Sequence, residues 1–371
     1  MSAKAHIGAW GILGLLVGLP ALHAGGAPEA NPAATPAPAP ANAPEAGPAP
    51  APAAEEAPGP LARIAVAARA ALDAAGLERR EVQAAGRRLV LWRGGSGPHL
   101  VLLHGSGHQA GAWVAVAPGL LRDHTVHVFD LPGHGDSEPQ EGPLRMAEVV
   151  AGLEEYLLAL DGKTTLVGNS FGAWLATVHA HRHPERVERI VLVNGGALFN
   201  LPAAGLSLTP ADRETARRTM AALRDPASPE LPDAVLDDIV KRAGSGPIGR
   251  MFQDPAGLMG HLLDGRLGEV TVPVDLLWGA SDKLMTLDYA RRMADQLPRS
   301  RLTVLERCGH IPASECPERF LEALRGVLAL PPPAGADGAE AEGEPAPGQA
   351  AEGAPPPQAG AAEPPPQPEQ P

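Results

Sequence analysis

Short apolar runs alternate with longer segments of helical spacing through the middle of the chain. His99–His104 (HLVLLH), Thr125–Leu131 (TVHVFDL), Thr164–Asn169 (TTLVGN), Glu188–Asn194 (ERIVLVN), Asp275–Gly279 (DLLWG) and Arg301–Leu305 (RLTVL) read as strands. Most are apolar throughout rather than alternating, the pattern of strands covered on both faces. Glu81–Trp92 reads as a hairpin turning at Ala85-Gly86. Helical spacing runs through Leu61–Leu77, Ala112–Leu121, Met146–Leu160, Phe171–His183, Leu287–Leu297 and Pro317–Leu328. Strands alternating with helices predict an α/β fold, a doubly wound and mostly parallel sheet.

The alternation stops between Asn194 and Asp275. This stretch is helical and loop-like, and carries Pro202, Pro210, Pro226, Pro229, Pro232, Pro247 and Pro255. It is too long for a loop between two core strands. It is expected to form a helical cap, about residues 197–272, over the strands' carboxyl ends, where ligands bind in open sheets.

Composition divides the chain further. Of 42 prolines, 11 fall between Gly25 and Pro60 and 13 between Pro331 and Pro371. The first arm has four acidic residues, the second seven, and neither has Lys or Arg. The domain at 61–330 is therefore nearly neutral although the chain carries −13. Nucleic acid, which demands a basic face, is excluded as a partner. The Ala/Pro repeats at 25–60 predict an extended spacer, and 331–371 a disordered acidic tail.

Residues 1–24 combine Lys4 with the apolar run Ile7–Leu22, broken by Pro20 and followed by small residues around Ala24. This reads as a secretory signal, with an uncleaved anchor as the alternative. Either places the domain outside the cytoplasm, secreted or periplasmic, with membrane or cell-wall tethering open.

Gly168-Asn169-Ser170-Phe171-Gly172 stands between a predicted strand and a predicted helix. A turn that tight leaves no room for a Cβ on either side. It lifts the Ser170 hydroxyl above the sheet edge at a helix N-terminus, as a nucleophile requires. A serine needs a base, and His310 follows the last strand within Cys308-Gly309-His310-Ile311-Pro312. The base needs an orienting carboxylate, and Asp282 follows another strand in Gly279-Ala280-Ser281-Asp282. Gly105-Ser106-Gly107 after HLVLLH would set the Ser106 N–H beside that of Phe171, forming an oxyanion hole.

These motifs, with Asp130–Ser137 (DLPGHGDS) between them, resemble the α/β-hydrolase superfamily over about Arg80 to Leu330. The order Ser170, Asp282, His310 is the order of that fold. HGSG with GNSFG is similar to its capped esterases and to its carbon–carbon bond hydrolases. The latter usually have Trp after the catalytic histidine, where this chain has Ile311. The resemblance implies a serine hydrolase acting through an acyl-enzyme, carboxylesterase-like, on a small-molecule, apolar ester, with no cofactor. Carbon–carbon or amide hydrolysis on the same triad, or a low-turnover ligand-binding module, are the alternatives.

Asn169, Trp113 and His134 are candidate substrate contacts, although Trp113 and Trp174 read first as packing. Leu201, Leu206, Met220, Met251, Phe252 and Leu258 could line the cap or simply pack it. In His179-Ala180-His181-Arg182-His183 only His179 and His183 share a helix face. Histidines suit a helix C-terminus, so no metal is expected. Cys308 and Cys316 bracket the His310 loop; two free thiols are expected, a bridge bracing the loop being the alternative.

Overall fold

The computed structural model describes residues 58–333. The signal or anchor at 1–24, nearly all of the spacer, and the tail beyond 333 lie outside the described residues. Among the described residues no helix is long and apolar enough to cross a membrane.

One eight-stranded sheet organises the domain, in the order β1-β2-β4-β3-β5-β6-β7-β8. The strands are β1 (Glu78–Ala84), β2 (Arg87–Gly95), β3 (His99–Leu103), β4 (Thr125–Asp130), β5 (Thr164–Asn169), β6 (Val187–Val193), β7 (Val274–Gly279) and β8 (Ser300–Leu305). β1 and β2 form an antiparallel hairpin, β2 pairs antiparallel with β4, and from β4 to β8 all pairings are parallel. The hairpin turns at Ala85 and Gly86, both at positive φ (51° and 70°), as a two-residue turn matching strand twist requires.

Side-chain alternation splits the core into two layers. Val101, Leu103, Leu166, Ile190 and Leu276 face α2 (Met146–Leu158), α3 (Phe171–Arg182) and α8 (Leu287–Gln296). Leu100, Leu102, Val167, Val191 and Leu277 face α1 (Pro60–Ala74) and α10 (Pro317–Ala329). Both faces are covered, which is why these strands read as continuous apolar runs.

The segment expected as a helix at Ala112–Leu121 is instead two 3-10 turns, Ala110–Trp113 and Ala117–Leu120. Gly111, Pro118 and Gly119 interrupt any longer helix there.

Between β6 and β7 lie α4 (Arg213–Ala222), α5 (Asp233–Arg242), α6 (Pro247–Met251) and α7 (Pro255–Met259). Their base is tied by Leu263 N–H donating to Ala197 O (2.8 Å) and by Phe199 N–H donating to Asp264 (2.8 Å). Arg250 is buried and donates to the carbonyls of Gly133, Pro139, Glu141 and Gly142, joining this insertion to the loop after β4. Of the proposed lining residues, Met251 and Leu258 belong to the core, Phe252 packs against it, and Leu201 is exposed.

Candidate active site

The chain leaves β3 toward β4 on one side of the sheet and later returns to β5 on the other. The carboxyl ends of β3 and β5 therefore flank a topological switch point, a crevice that no crossover fills. The Gly-rich loop after β3 and Ser170 after β5 both open there.

Ser170 sits at φ 53°, ψ −112°, a conformation rare for a residue with a side chain. The glycines make it possible. A Cβ on Gly168 would lie 2.3 Å from Gly172 O, and one on Gly172 2.2 Å from Leu103 O. The main chain is held on one side by Ser170 N–H donating to Val193 O at 2.9 Å. Phe171 N–H, in the first turn of α3, has no intrahelical acceptor. The loop carrying Ser106 lies against Ser170: a Cβ on Gly105 would stand 3.2 Å from Ser170 Cβ.

Asp282, after β7, and His310, after β8, are both buried. His310 Nδ1 lies 2.7 Å from Asp282 Oδ2. A carboxylate only accepts, so the neutral imidazole carries its proton on Nδ1 and leaves Nε2 free to accept one. Asp282 Oδ1 accepts from Leu284 N–H (2.8 Å) and Met285 N–H (3.0 Å).

Asn194 also binds this carboxylate, a residue that the motifs did not single out. Its Nδ2 donates to Asp282 Oδ2 at 2.8 Å, and its Oδ1 accepts from Gly279 N–H at 2.9 Å. Its φ of 45° is one Asn tolerates. The only trace in sequence is its place just after a strand, too common a signal to select it.

The insertion presses on both loops. Ala222 O at the end of α4 accepts from Lys283 N–H (2.9 Å), and Leu223 O from His310 N–H (2.7 Å). Ile248 of α6 lies over Gly107, 3.0 Å from where a Cβ would be.

The candidate substrate contacts fare differently. Asn169 is buried and spends its amide on Val193 O (3.0 Å) and His310 O (2.8 Å), so it is committed to the backbone. Trp113 is buried in the core beside Phe320 and reaches no open surface. His134 is buried and stacked on Phe171, with ring centroids 6.0 Å apart. Its Nδ1 lies 3.1 Å from Pro132 O, and its Nε2 has no partner among the described residues. Burial lowers His134 to about 4, so it is neutral at pH 7.

The cysteines correct an expectation. Cys308 and Cys316 form a disulfide rather than two free thiols. The short helix α9 (Pro312–Glu315) turns the loop back and brings the two Cα atoms to 5.9 Å, within bridging range. The bond closes the loop that carries His310.

A strained serine at a strand-to-helix elbow, backed by a histidine–carboxylate pair on neighbouring strand ends, defines an α/β-hydrolase. The alpha/beta hydrolase family profile matches residues 100–323, and the chain belongs to that family. It is 31% identical over 250 residues to a pimeloyl-[acyl-carrier protein] methyl ester esterase of Aromatoleum aromaticum, covering 62% of this chain and 98% of that protein. It is 28% identical over 232 residues to a 2-hydroxy-6-oxononadienedioate/2-hydroxy-6-oxononatrienedioate hydrolase of Cupriavidus pinatubonensis, covering 57% of this chain and 80% of that one. Among solved structures it is similar to a bacterial membrane phospholipase A, with TM-score 0.61 and 25% identity over 72% of this chain and 91% of the other.

Proposed function

We propose that the protein is an exported serine hydrolase that cleaves a small or medium, apolar carboxylic ester. The observation that carries the reading is the 2.7 Å contact between His310 Nδ1 and Asp282 Oδ2, in a chain whose Ser170 stands at the elbow. His310 Nε2 takes the Ser170 proton as the hydroxyl oxygen attacks the ester carbonyl. The tetrahedral oxyanion is held by the N–H groups of Ser106 and Phe171. Asp282 holds the tautomer and stabilises the imidazolium. The imidazolium returns its proton to the departing alkoxide, leaving an acyl group on Ser170. Water, deprotonated by the same Nε2, attacks this acyl-enzyme and releases the acid. Ile311, where carbon–carbon hydrolases usually carry Trp after the histidine, favours an ester. A disulfide on the His310 loop suits an oxidising compartment, which supports export.

The test is turnover of p-nitrophenyl esters of increasing acyl length by the full chain, with Ser170→Ala as control. Ser170-dependent hydrolysis with a chain-length optimum supports the reading. Equal rates in the variant overturn it. Inertness toward every ester, with bleaching of a coloured dienoate, moves the assignment to carbon–carbon hydrolysis.

A further inference from the structure

We propose that Glu154, His179 and His183 form a zinc-class metal site that staples α2 to α3, at the end of α3 away from Ser170. His179 lies in the last turn of α3 and His183 is the residue that caps its C-terminus, while Glu154 faces them from α2. One ligand atom from each residue lies within 4.8 Å of the others. His181 points elsewhere and binds Glu269 at 2.8 Å.

Two observations point to a ligand rather than to an ordinary ion-pair cluster. The first is His179. It is 1% exposed, and neither ring nitrogen has a hydrogen-bond partner among the described residues. A buried imidazole with both nitrogens unsatisfied is costly unless something coordinates it. The second is the spacing of the other two. His183 Nε2 stands 3.7 Å from Glu154 Oε1, too far for a hydrogen bond. It is close to the ~3.4 Å edge of a tetrahedron with bonds of about 2.0–2.1 Å.

Two imidazoles and a carboxylate suit zinc rather than magnesium, with water in the fourth place. The exposed Arg182, now 3.3 Å from both Glu154 oxygens, is the cation that the metal displaces. His179 is nine residues along α3 from Ser170, about 13 Å at the helical rise, so the site stabilises the fold and takes no part in ester cleavage.

The experiment treats the full chain with chelator, then adds zinc chloride while following bound zinc by dialysis and unfolding by calorimetry. Magnesium chloride is the control. The expected result is one equivalent of zinc per chain, a rise in melting temperature of several degrees, and no effect of magnesium. His183→Ala and Glu154→Gln, both at partly exposed positions, are expected to weaken binding at least about tenfold each while retaining Ser170-dependent turnover. Zinc uptake and melting shift identical in wild type and the double variant would place the metal elsewhere and overturn the proposal. A wild-type melting temperature unmoved by 100-fold excess zinc would also overturn it.

Discussion

The side-chain amide of Asn169 donates to the main-chain carbonyl of His310 across 2.8 Å, and to Val193 O across 3.0 Å. The residue before the proposed nucleophile thus grips the backbone of the proposed base. Asn169→Ala leaves the buried His310 carbonyl without its donor, while Val193 O keeps the Ser170 N–H, a loss of about 1–3 kcal/mol in stability. The expected kinetic signature is a kcat lowered about tenfold or more with KM little changed, since positioning is lost and binding is not. Steady-state kinetics on one ester checks it. A rise in KM alone would make Asn169 the substrate contact that its place in the motif suggested.

Asn194 makes the matching grip on Asp282. Replacing it by Ala removes a donor to the carboxylate and an acceptor for Gly279 N–H. Ala also fits poorly at a φ of 45°. Asn194→Gly loses the same hydrogen bonds without that strain. Both variants are expected to lose about tenfold in kcat, and Gly is expected to unfold at a higher urea concentration than Ala. Wild-type kcat in the Gly variant would deny Asn194 its positioning role.

These two residues also mark how far sequence reasoning reached. The strands were legible because strands buried on both faces must be apolar throughout. Ser170 and Asp282 stood out because each follows such a strand, and His310 because it follows the last strand, a partly buried edge strand. Asn169 was visible as part of a motif, but its amide could have faced either way, and only the packed backbone decides. Asn194 and Leu223 act through contacts with residues 88 and 87 positions away, which no local pattern encodes. The docking of α4 onto both loops belongs to the same class. The cysteine pair was misjudged because the turn at α9, which brings the two together, is only four residues long.

That disulfide closes a loop of eight intervening peptide steps around His310. Chain-entropy arguments assign such a loop about 2–3 kcal/mol. The unreduced protein is expected to show no free thiol, and two after reduction in denaturant. Cys308→Ser with Cys316→Ser is expected to melt lower and to turn over more slowly, as the base loop loses its brace. Two thiols titrating in the native, unreduced protein would contradict the bridge.

Buried imidazoles set an acid limit on the fold. Burial lowers His134 and His179 to about 4 and His127 to about 3, from 6.5. Unfolded, each titrates near 6.5, so below that pH the unfolded chain binds more protons and stability falls. A drop from 6.5 to about 4 corresponds to about 3 kcal/mol for each. Asp130 opposes this: burial raises it to about 6, so its protonation favours the folded chain as pH falls from 6 to 3.8. Burial raises Asp275 in the same way, and the three imidazoles outweigh the two carboxyls. The urea midpoint is expected to fall steadily between pH 6.5 and 4, and a flat midpoint over that range would contradict the burial of these rings.

The most direct test of the central claim is to catch the acyl group on Ser170. A p-nitrophenyl ester is mixed with the full chain, quenched in acid within milliseconds to seconds, and the digest is read by mass spectrometry. The account predicts one acyl group, on the peptide containing Ser170, appearing with the burst of p-nitrophenol and absent from Ser170→Ala. Steady hydrolysis with Ser170 never acylated, or an equal burst in Ser170→Ala, would contradict it.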